Sequence, residues 1–214
     1  MARASATADP DRVLALVALA AGASRRFGTA DKLLAEVDGE ALVSRSIRRL
    51  RCVADSMPLA TIRLIAVVPD LDGPVAAVIS RVSPTATLVA NPHRDLGLGT
   101  SVAAGIAAVP HEACGALVTP CDLPDLEPAF VVALLMAFLE TGCDRPVHAS
   151  LPDGTPVSPM VWPRRLFAGL LALECDAGGR HLLAGERPVA HGISARQALD
   201  IDTVADLARR LPTP

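Results

Sequence analysis

Short apolar runs alternate along the chain with longer segments in which apolar residues recur at helical spacing. The runs are β-branched or rich in leucine, are apolar on both faces, and are bounded by Pro, Gly, Asn or Asp, which is typical of buried parallel strands. They predict strands at Val13–Leu19, Thr61–Val68, Ala86–Ala90 and Cys114–Thr119. The segments between and after them predict helices at Ala41–Cys52, Pro74–Val82, Thr100–Val109 and Glu127–Glu140.

After Gly142 the pattern is looser. It predicts short strands near Pro146–Ala149 and at Val157–Trp162, then a helix at Arg164–Leu173 and a terminal helix at Val204–Leu211. The alternation of strand and helix predicts an α/β fold with a doubly wound, mostly parallel, Rossmann-like sheet in three layers. We expect residues 1–11 to be a disordered lead-in and residues 12–214 to form one domain.

Composition narrows the classes of function. Of the 214 residues, 51% are hydrophobic but only 2% aromatic, so the core must consist of Leu, Val and Ala. A net charge of −3 gives no sign of a surface for nucleic acid or for an anionic membrane. The five cysteines are widely spaced and form no C-x-x-C motif, which favours buried thiols in a reducing cytoplasm over disulfides or a zinc site.

The N-terminus allows one competing interpretation. Arginines followed by the apolar run Val13–Ala21 imitate a secretory signal peptide. However, Asp9 and Asp11 lie directly before the run, where a signal peptide needs positive charge. The run is also far shorter than the roughly 20 residues that span a bilayer. We therefore expect a buried strand here, in a cytoplasmic protein with no membrane partner.

The loop after the first strand concentrates polar and positively charged residues. Between Gly22 and Gly28 it offers backbone N–H groups and two arginines, which together suit a phosphate. Lys32, just beyond, is the only lysine in the chain, and an ammonium is a compact point charge that can follow a phosphate through a reaction. The spacing matches neither a P-loop nor G-x-G-x-x-G. A plain strand-to-helix turn with solvated arginines is the alternative.

This loop also carries a family resemblance. The residues Leu19-Ala20-Ala21-Gly22-x-Ser24-x-Arg26-Phe27-Gly28, followed by Lys32-Leu33-Leu34, resemble the signature of the MobA-like nucleotidyltransferases, and most of all the molybdenum cofactor cytidylyltransferase branch. The resemblance implies that the loop wraps a nucleoside triphosphate, with Arg26 and Lys32 as catalytic residues on its phosphates. It implies further nucleotide contacts from Leu19, Ala20, Ala21, Gly22 and Ser24. Three residues separate Gly28 from Lys32, where the family more often has two.

Asp122 lies just past the fourth strand, between Pro120 and Pro124. A carboxylate without a basic neighbour in the local sequence is suited to hold Mg²⁺, which takes one or two carboxylates plus substrate phosphates. Capping of the following turn is the alternative, although Asp125 is the more natural cap. The resemblance implies that Asp122 binds magnesium and is catalytic. The preceding Cys121 is more typical of the guanylyltransferase branch, because cytidylyltransferases more often carry Gly there.

The chain's only asparagine, Asn91, opens a third motif. The glycines and hydroxyls that follow predict a flexible loop that begins a helix, whose N-terminus can face a base or phosphates. Simple N-capping by Thr100 or Ser101 is the alternative and can coexist with that role. The stretch resembles the cytidylyltransferase branch, whereas the guanylyl branch has Gly-Pro-Leu-Ala-Gly here. The nucleotide-binding residues expected from this motif are Asn91, Gly97, Gly99, Thr100 and Ser101.

Two carboxylates near the C-terminus form a fourth motif. Asp200 and Asp202 share one face if this segment is extended, but Asp202 or Thr203 could simply cap the last helix. The family has Asp-x-Asp-Thr or Asn-x-Asn-Thr here, which contributes a second metal ligand. We favour Asp202 and keep Asp200 as the alternate. The segment Pro159–Leu183 also resembles the cytidylyltransferases, in which this half faces the pterin, and Ser158 stands where that branch commonly has His or Asn.

The motifs and the resemblance together imply a Mg²⁺-dependent nucleotidyltransferase that moves CMP from CTP to the phosphate of molybdopterin and releases pyrophosphate. Residues 12–126 would form the nucleotide-binding half and residues 127–214 the acceptor-binding half. The alternatives are GTP-dependent guanylyl transfer, a different phosphate acceptor, or a non-catalytic nucleotide-binding partner of a molybdoenzyme. A molybdoenzyme could also receive the product, and no nucleic acid is expected as a partner.

Overall fold

The computed structural model describes residues 12–22, 27, 31–57, 59–174, 178–203 and 205–206. In chain order the strands are β1 (Val13–Leu19), β2 (Glu36–Val37), β3 (Glu40–Ala41), β4 (Thr61–Val68), β5 (Thr87–Ala90), β6 (Ala113–Pro120), β7 (Val147–Ser150), β8 (Pro156–Pro163) and β9 (Val189–Gly192). The α-helices are α1 (Leu42–Ser56), α2 (Pro74–Val82), α3 (Leu98–Ala107), α4 (Pro128–Glu140) and α5 (Phe167–Leu171). Short 3₁₀ turns lie at Lys32–Leu34, Arg94–Leu96, Arg164–Leu166 and Arg180–Leu183.

The central sheet has seven strands in the order β5-β4-β1-β6-β8-β7-β9. β5, β4, β1 and β6 pair in parallel, and β9 is parallel to β7. β8 runs antiparallel to both of its neighbours, β6 and β7. Six strands therefore point one way and one points the other, which confirms the prediction of a mostly parallel sheet. β2 and β3 form a separate small hairpin.

Both faces of the sheet are covered. In β1, Leu14 and Leu16 are fully buried in the cluster that also contains residues of α1, α2 and α4. Ala15 and Val17 are fully buried in the second cluster, with residues of α3 and α5. Because the strand is buried on both sides, its sequence is a continuous apolar run rather than an alternating one. The predicted three layers are confirmed.

Helix α3 lies unusually close to the sheet. A Cβ at Gly105 would come within 2.3 Å of Val17 Cγ1 and 3.0 Å of Val67 Cγ2, so a residue with a side chain here would push the helix away. The helix follows β5 through a short loop, which places its N-terminus at the edge where the parallel strands end. The close packing at Gly105 therefore helps to position the loop between β5 and α3.

The main strands and the first four helices occur where the pattern predicts them, with ends shifted by up to a few residues. The predicted helix Arg164–Leu173 is instead a 3₁₀ turn followed by the short α5. Of the predicted terminal helix Val204–Leu211, the two described residues are helical and the others lie outside the described residues. The expected lead-in, residues 1–11, also lies outside them.

The β2–β3 hairpin and β9 were not predicted. The hairpin turns at Asp38 and Gly39, which have φ angles of +54° and +77°, and Asp-Gly is a strong signal for such a turn. Its strands, however, are two residues long, which is too short for a hydrophobic period to be visible. Within the described residues, no helix combines the length and the apolar character that crossing a membrane requires.

The cysteines differ from the expectation of buried thiols. Among the described residues only Cys121 is buried, at 1% exposure. Cys52 is exposed, and Cys114 and Cys143 are partly exposed. Cys175 lies outside the described residues. The prediction failed because wide spacing and the lack of C-x-x-C argue against disulfides and metal sites but contain no information on whether a cysteine is buried.

Candidate active site

Three residues that are distant in sequence meet where β1 and β6 end. The Lys32 ammonium donates hydrogen bonds to Asp122 Oδ2 at 2.6 Å and to Asp202 Oδ1 at 3.0 Å. The side chains of Lys32 and Asp122 are only 11% and 15% exposed, whereas that of Asp202 is 41% exposed. The structure therefore brings together the predicted lysine, the predicted first metal ligand and the favoured second one.

A short 3₁₀ turn positions Lys32. Asp31 caps the turn, because its Oδ1 accepts a hydrogen bond from the Leu33 backbone N–H at 3.0 Å. Leu33 is 2% exposed and anchors the turn in the core. With its backbone held in this way, Lys32 can reach the carboxylates through its flexible side chain.

Side chains of α1 hold the turn that carries Asp122. Ser46 Oγ donates a hydrogen bond to the Cys121 carbonyl at 2.7 Å. The guanidinium groups of Arg45 and Arg49 donate to the carbonyls of Pro124 and Leu126, at 3.0 and 2.8 Å. These contacts bond carbonyls on both sides of Asp122 to one rigid helix.

Asp202 is held close to Asp122 by the backbone. The Ile201 N–H donates to the Asp122 carbonyl at 3.0 Å, and Ile201 is fully buried. Thr203 and Asp206 form a reciprocal cap, in which the Thr203 N–H donates to Asp206 Oδ2 at 2.8 Å and the Asp206 N–H donates to Thr203 Oγ1 at 3.2 Å. Thr203 is therefore the capping residue, and the carboxylate of Asp202 is directed to Lys32.

The carboxylates keep Lys32 charged. Burial acts to lower the pKa of Lys32, but the charges and hydrogen bonds of Asp122 and Asp202 outweigh it and raise the pKa above its usual value. Burial, together with repulsion from Asp202 and Asp122, raises the pKa of Asp200. Asp200 forms no ion pair with Lys32, so the contact geometry favours Asp202 over Asp200 as the partner of Asp122.

Asp122 has a second oxygen that fits a divalent cation. Asp122 Oδ1 is buried and accepts no hydrogen bond from the described residues. A buried polar atom without a partner is costly, and carboxylate oxygens are preferred ligands of Mg²⁺ and Mn²⁺. Within the described part of the chain, no group of three or more His, Cys, Asp or Glu side chains is placed to bind a metal. Cation binding through one or two carboxylates would leave the remaining positions to substrate oxygens.

The loop between β5 and α3 is tied together by Asn91. This side chain is 2% exposed, and its amide donates to Thr100 Oγ1 at 3.0 Å and to Ser101 Oγ at 2.9 Å. Its carbonyl oxygen accepts from the His93 N–H at 2.9 Å. Gly97 has a φ of +129°, a conformation that favours glycine, and α3 begins at the next residue. Asn91 therefore determines the shape of the loop, and the expected nucleotide contacts of this motif stay predictions.

A cavity of about 390 Å³ opens beside these elements. Its lining comes from the ends of β1 and β6, from the first turns of α3, from β8 and from the segment after α5. The lining residues are Leu19, Leu98, Val102, Val118, Pro120, Ser158, Met160, Gly178 and Arg180. The size and mostly apolar walls suit a base or another flat ring system.

Arg180 is a candidate site residue that sequence reasoning missed. It is exposed at the cavity and makes no ion pair or side-chain hydrogen bond with the described residues. The available signal was its position in the segment Pro159–Leu183, directly after two glycines. Arg180 and Ser158 line the cavity from residues 127–214, and Leu19 and Pro120 line it from residues 12–126, so both parts of the chain contribute to it.

The loop after β1, which was predicted to bind phosphate, is described only in part, at residues up to Gly22 and at Phe27. The Ala20 N–H donates to the Val67 carbonyl at 2.8 Å, and Ala21 is 1% exposed, so the start of the loop is fixed to the sheet. Gly22 is exposed at the end of β1. The predicted contacts of Ser24 and Arg26 lie outside the described residues.

Comparison with known proteins identifies one family. The family model of the MobA-like NTP transferase domain matches residues 16–192. This span runs from β1 to β9 and includes Lys32 and Asp122, while Asp202 lies beyond it. Among curated proteins, none matches the chain.

Several solved structures share the fold. Rv0371c from Mycobacterium tuberculosis H37Rv is 20% identical with a TM-score of 0.75, over 96% of this chain and 100% of that one. Its complex with manganese gives 19% identity and a TM-score of 0.69, over 95% and 100%. 4-Diphosphocytidyl-2C-methyl-D-erythritol synthase from Anaerococcus prevotii DSM 20548 is 14% identical with a TM-score of 0.71, over 94% and 97%. Molybdopterin-guanine dinucleotide biosynthesis protein A from Archaeoglobus fulgidus is 16% identical with a TM-score of 0.62, over 92% and 96%.

Proposed function

The chain belongs to the MobA-like NTP transferase domain family, and from this premise we propose that it transfers CMP from CTP to the phosphate of molybdopterin. The observation that carries the proposal is the Lys32 ammonium between Asp122 and Asp202 at the carboxyl ends of the strands. Open α/β sheets bind their ligands at this edge. A reaction at a triphosphate requires cations that neutralise the charge of the phosphates, and a lysine beside two candidate metal ligands can supply them.

The proposed reaction needs no nucleophile from the protein. An oxygen of the acceptor phosphate, which is already ionised, attacks the α-phosphorus of CTP. A new O–P bond forms, the bond between the α-phosphorus and the bridging oxygen breaks, and pyrophosphate leaves with the electron pair. The contribution of the site is then to align the two phosphates and to neutralise their charge.

Lys32 and Arg26 are the proposed cations for the triphosphate. Lys32 would leave the carboxylates and follow the phosphates as a point charge, which its flexible four-carbon stem permits. Arg26 and Ser24, on the loop after β1, would contact the same phosphates. The backbone N–H groups of that loop would add further donors.

Asp122 and Asp202 would hold Mg²⁺. The unpartnered buried oxygen of Asp122 supports this assignment, as does the structurally similar protein that was solved with manganese. When bound, the ion would neutralise charge on the triphosphate. The two carboxylates would fix the position of the ion, because α1 and the Ile201 backbone N–H hold the turn that carries Asp122.

Cytosine is the proposed base, although the sequence contains an argument for guanine. Guanine is favoured only by Cys121, whose side chain is buried in the core and whose carbonyl accepts a hydrogen bond from the Ser46 hydroxyl. A thiol buried there cannot read a base. The loop that resembles the cytidylyltransferases leads directly into α3, whose Leu98 and Val102 line the cavity.

The acceptor would enter the same cavity from the side of β8. Ser158 and Arg180 are its polar lining residues on that side, and both belong to the second half of the chain. Arg180 has no ion pair among the described residues, so its guanidinium is available for an anionic acceptor group. This supports the division into a nucleotide-binding half and an acceptor-binding half.

The proposal predicts a clear difference between nucleotides. CTP with Mg²⁺ should raise the melting temperature and support pyrophosphate release in the presence of molybdopterin, whereas GTP should do neither. A pocket sized for a pyrimidine rejects a purine by steric clash, which discriminates more strongly than one lost contact. Thermal shift and a pyrophosphate assay across the four nucleotides provide the measurement.

The same assay separates the alternatives. Equal or better activity with GTP would replace cytidylyl by guanylyl transfer and keep the reaction class. Pyrophosphate release from CTP with another phosphate compound, but not with molybdopterin, would change the acceptor. Stabilisation by a nucleotide without pyrophosphate release from any acceptor would favour a non-catalytic binding partner of a molybdoenzyme.

A further inference from the structure

The Lys32 ammonium lies where a divalent cation would be placed by the two carboxylates. Its nitrogen is 2.6 Å from Asp122 Oδ2 and 3.0 Å from Asp202 Oδ1, so it joins the two side chains as a bridging cation. A Mg²⁺ ion would need carboxylate oxygens at about 2.1 Å. Both positive charges cannot occupy the space between these oxygens.

The free oxygen of Asp122 does not remove this conflict. A cation on Asp122 Oδ1 would stand within about 5 Å of the ammonium, with little water to screen the repulsion, because the Lys32 and Asp122 side chains are 11% and 15% exposed. Asp202 would also be unavailable as a second ligand through the oxygen that Lys32 holds. Metal binding at full strength therefore requires Lys32 to move.

We propose that the Lys32 ammonium, by bridging Asp122 and Asp202, competes with a divalent cation for these carboxylates and keeps metal binding weak until a triphosphate draws the ammonium away. This inference rests on the proposed function only in taking Asp122 and Asp202 as the metal ligands. Its consequence is that metal and nucleotide support each other's binding, because each becomes stronger once Lys32 has left the carboxylates. Lys32, the single lysine of the chain, would then pair alternately with the two carboxylates and with the triphosphate.

The test measures Mn²⁺ binding alone, by electron paramagnetic resonance of the free ion, with no nucleotide or acceptor present. We expect Lys32→Met to bind Mn²⁺ about tenfold more tightly than the wild-type protein, since the competing charge is gone. Lys32→Gln should also bind Mn²⁺ more tightly than the wild-type protein, and it replaces Lys32→Met in the test if the methionine variant does not fold. An affinity equal to or below that of wild type in the folded variant would overturn the proposal.

A matched control removes a nearby charge that does not bridge the carboxylates. Arg196 pairs with Asp125, three residues beyond Asp122, at 3.1 Å. Arg196→Met should change Mn²⁺ affinity less than twofold, and an increase as large as that of Lys32→Met would overturn the specific role of Lys32. Since no nucleotide enters the assay, its result is independent of whether CTP or molybdopterin is the substrate.

Cys114 and Cys143 lie in contact with each other. Cys114 is the second residue of β6 and Cys143 follows the end of α4, and the Cys114 thiol donates a hydrogen bond to Cys143 Sγ at 3.1 Å. Both residues are partly exposed, so a small reagent can reach them. β6 extends about 20 Å from Cys114 to its end at Pro120, two residues before Asp122, so this pair is distant from the candidate active site.

The surroundings favour thiol–disulfide exchange at this pair. The hydrogen bond from Cys114, together with the nearby Arg12 guanidinium, lowers the pKa of Cys143. A thiol whose pKa approaches the ambient pH is an effective attacking group. The two sulfurs are about 1 Å farther apart than in a disulfide bond, so small side-chain movements suffice to join them.

We infer that Cys114 and Cys143 form an intramolecular disulfide when a low-molecular-weight disulfide such as oxidised glutathione is supplied. The Cys143 thiolate attacks one sulfur of the oxidant and displaces one glutathione thiolate, which gives a mixed disulfide. Cys114 loses its proton, attacks the Cys143 sulfur and displaces the second glutathione thiolate. The two protein thiols lose two electrons, and one oxidised glutathione becomes two reduced molecules.

The test uses the full chain with Cys52→Ser, which removes the exposed thiol of α1. After treatment with oxidised glutathione, we expect peptide mass mapping to show Cys114 linked to Cys143, with the loss of two titratable thiols. Adding Cys114→Ser should abolish the link and leave glutathione on Cys143. Free thiols at both positions, or a persistent glutathione adduct on Cys143 when Cys114 is present, would overturn the proposal.

Discussion

Replacing Asp122 with asparagine is expected to lower Mg²⁺-dependent turnover by about a thousandfold or more, which corresponds to roughly 4 kcal/mol of transition-state stabilisation. The substitution keeps the shape of the side chain but removes the charge that faces Lys32 and the candidate metal position. A neutral amide is a weak ligand for Mg²⁺. Its NH₂ group is a hydrogen-bond donor, which can neither bind a cation nor accept a hydrogen bond from the Lys32 ammonium. The effect should therefore fall on turnover.

The fold should survive this change, because the backbone of the turn is held by α1 and by Ile201 and not by the carboxylate. Pyrophosphate release across a Mg²⁺ titration measures the loss, and circular dichroism checks the fold. Asp125→Asn is the matched control, since Asp125 lies on the same turn but pairs with Arg196. Near-normal turnover is expected there, and unchanged turnover in Asp122→Asn would remove Asp122 from the active site.

The fold could be predicted from the sequence because its central strands are buried on both faces. A strand such as β1, with Leu14 on one side and Ala15 on the other at 0% exposure, must be apolar throughout, and that pattern is visible without any structure. The polar residues that follow each such strand then lie at one edge of the sheet. This is why Lys32 and Asp122 could be assigned to the same region before their contact was known.

The short and edge elements could not be predicted for the opposite reason. β9 lies at the edge of the sheet, and its residues are alternately partly buried and exposed, so no continuous apolar run marks it. The direction of β8, which is antiparallel to its neighbours, could not be predicted either, because the hydrophobic pattern of a strand is the same whichever way the strand runs.

The contacts of the candidate site depend on long-range packing that local patterns do not report. Lys32 and Asp202 are 170 residues apart, and their ion pair exists because Ile201 donates to the carbonyl of Asp122. The local sequence offered both Asp202 and Thr203 as candidates for a cap. The reciprocal bonds of Thr203 with Asp206 decide between them. The proposed substrates, in turn, derive from the family resemblance and not from the hydrophobic pattern.

Replacing Lys32 with arginine is expected to lower kcat about a hundredfold, even though the positive charge is kept. This loss corresponds to about 3 kcal/mol of transition-state stabilisation. The Lys32 side chain is 11% exposed and ends between two carboxylates, where a compact ammonium fits. A guanidinium is broad, planar and suited to bidentate contacts, so it would pair with a carboxylate face to face and could not follow the phosphates as a point charge.

Steady-state turnover with CTP and the acceptor measures this effect, and the reverse type of substitution at the surface provides the control. Arg48 is 53% exposed and pairs with Glu40, so Arg48→Lys should leave kcat unchanged. If Lys32→Arg also retained nearly normal kcat, the geometry of the ammonium would be irrelevant and the single lysine incidental. A large loss in Lys32→Arg beside a neutral Arg48→Lys would show that this position requires a lysine and not merely a cation.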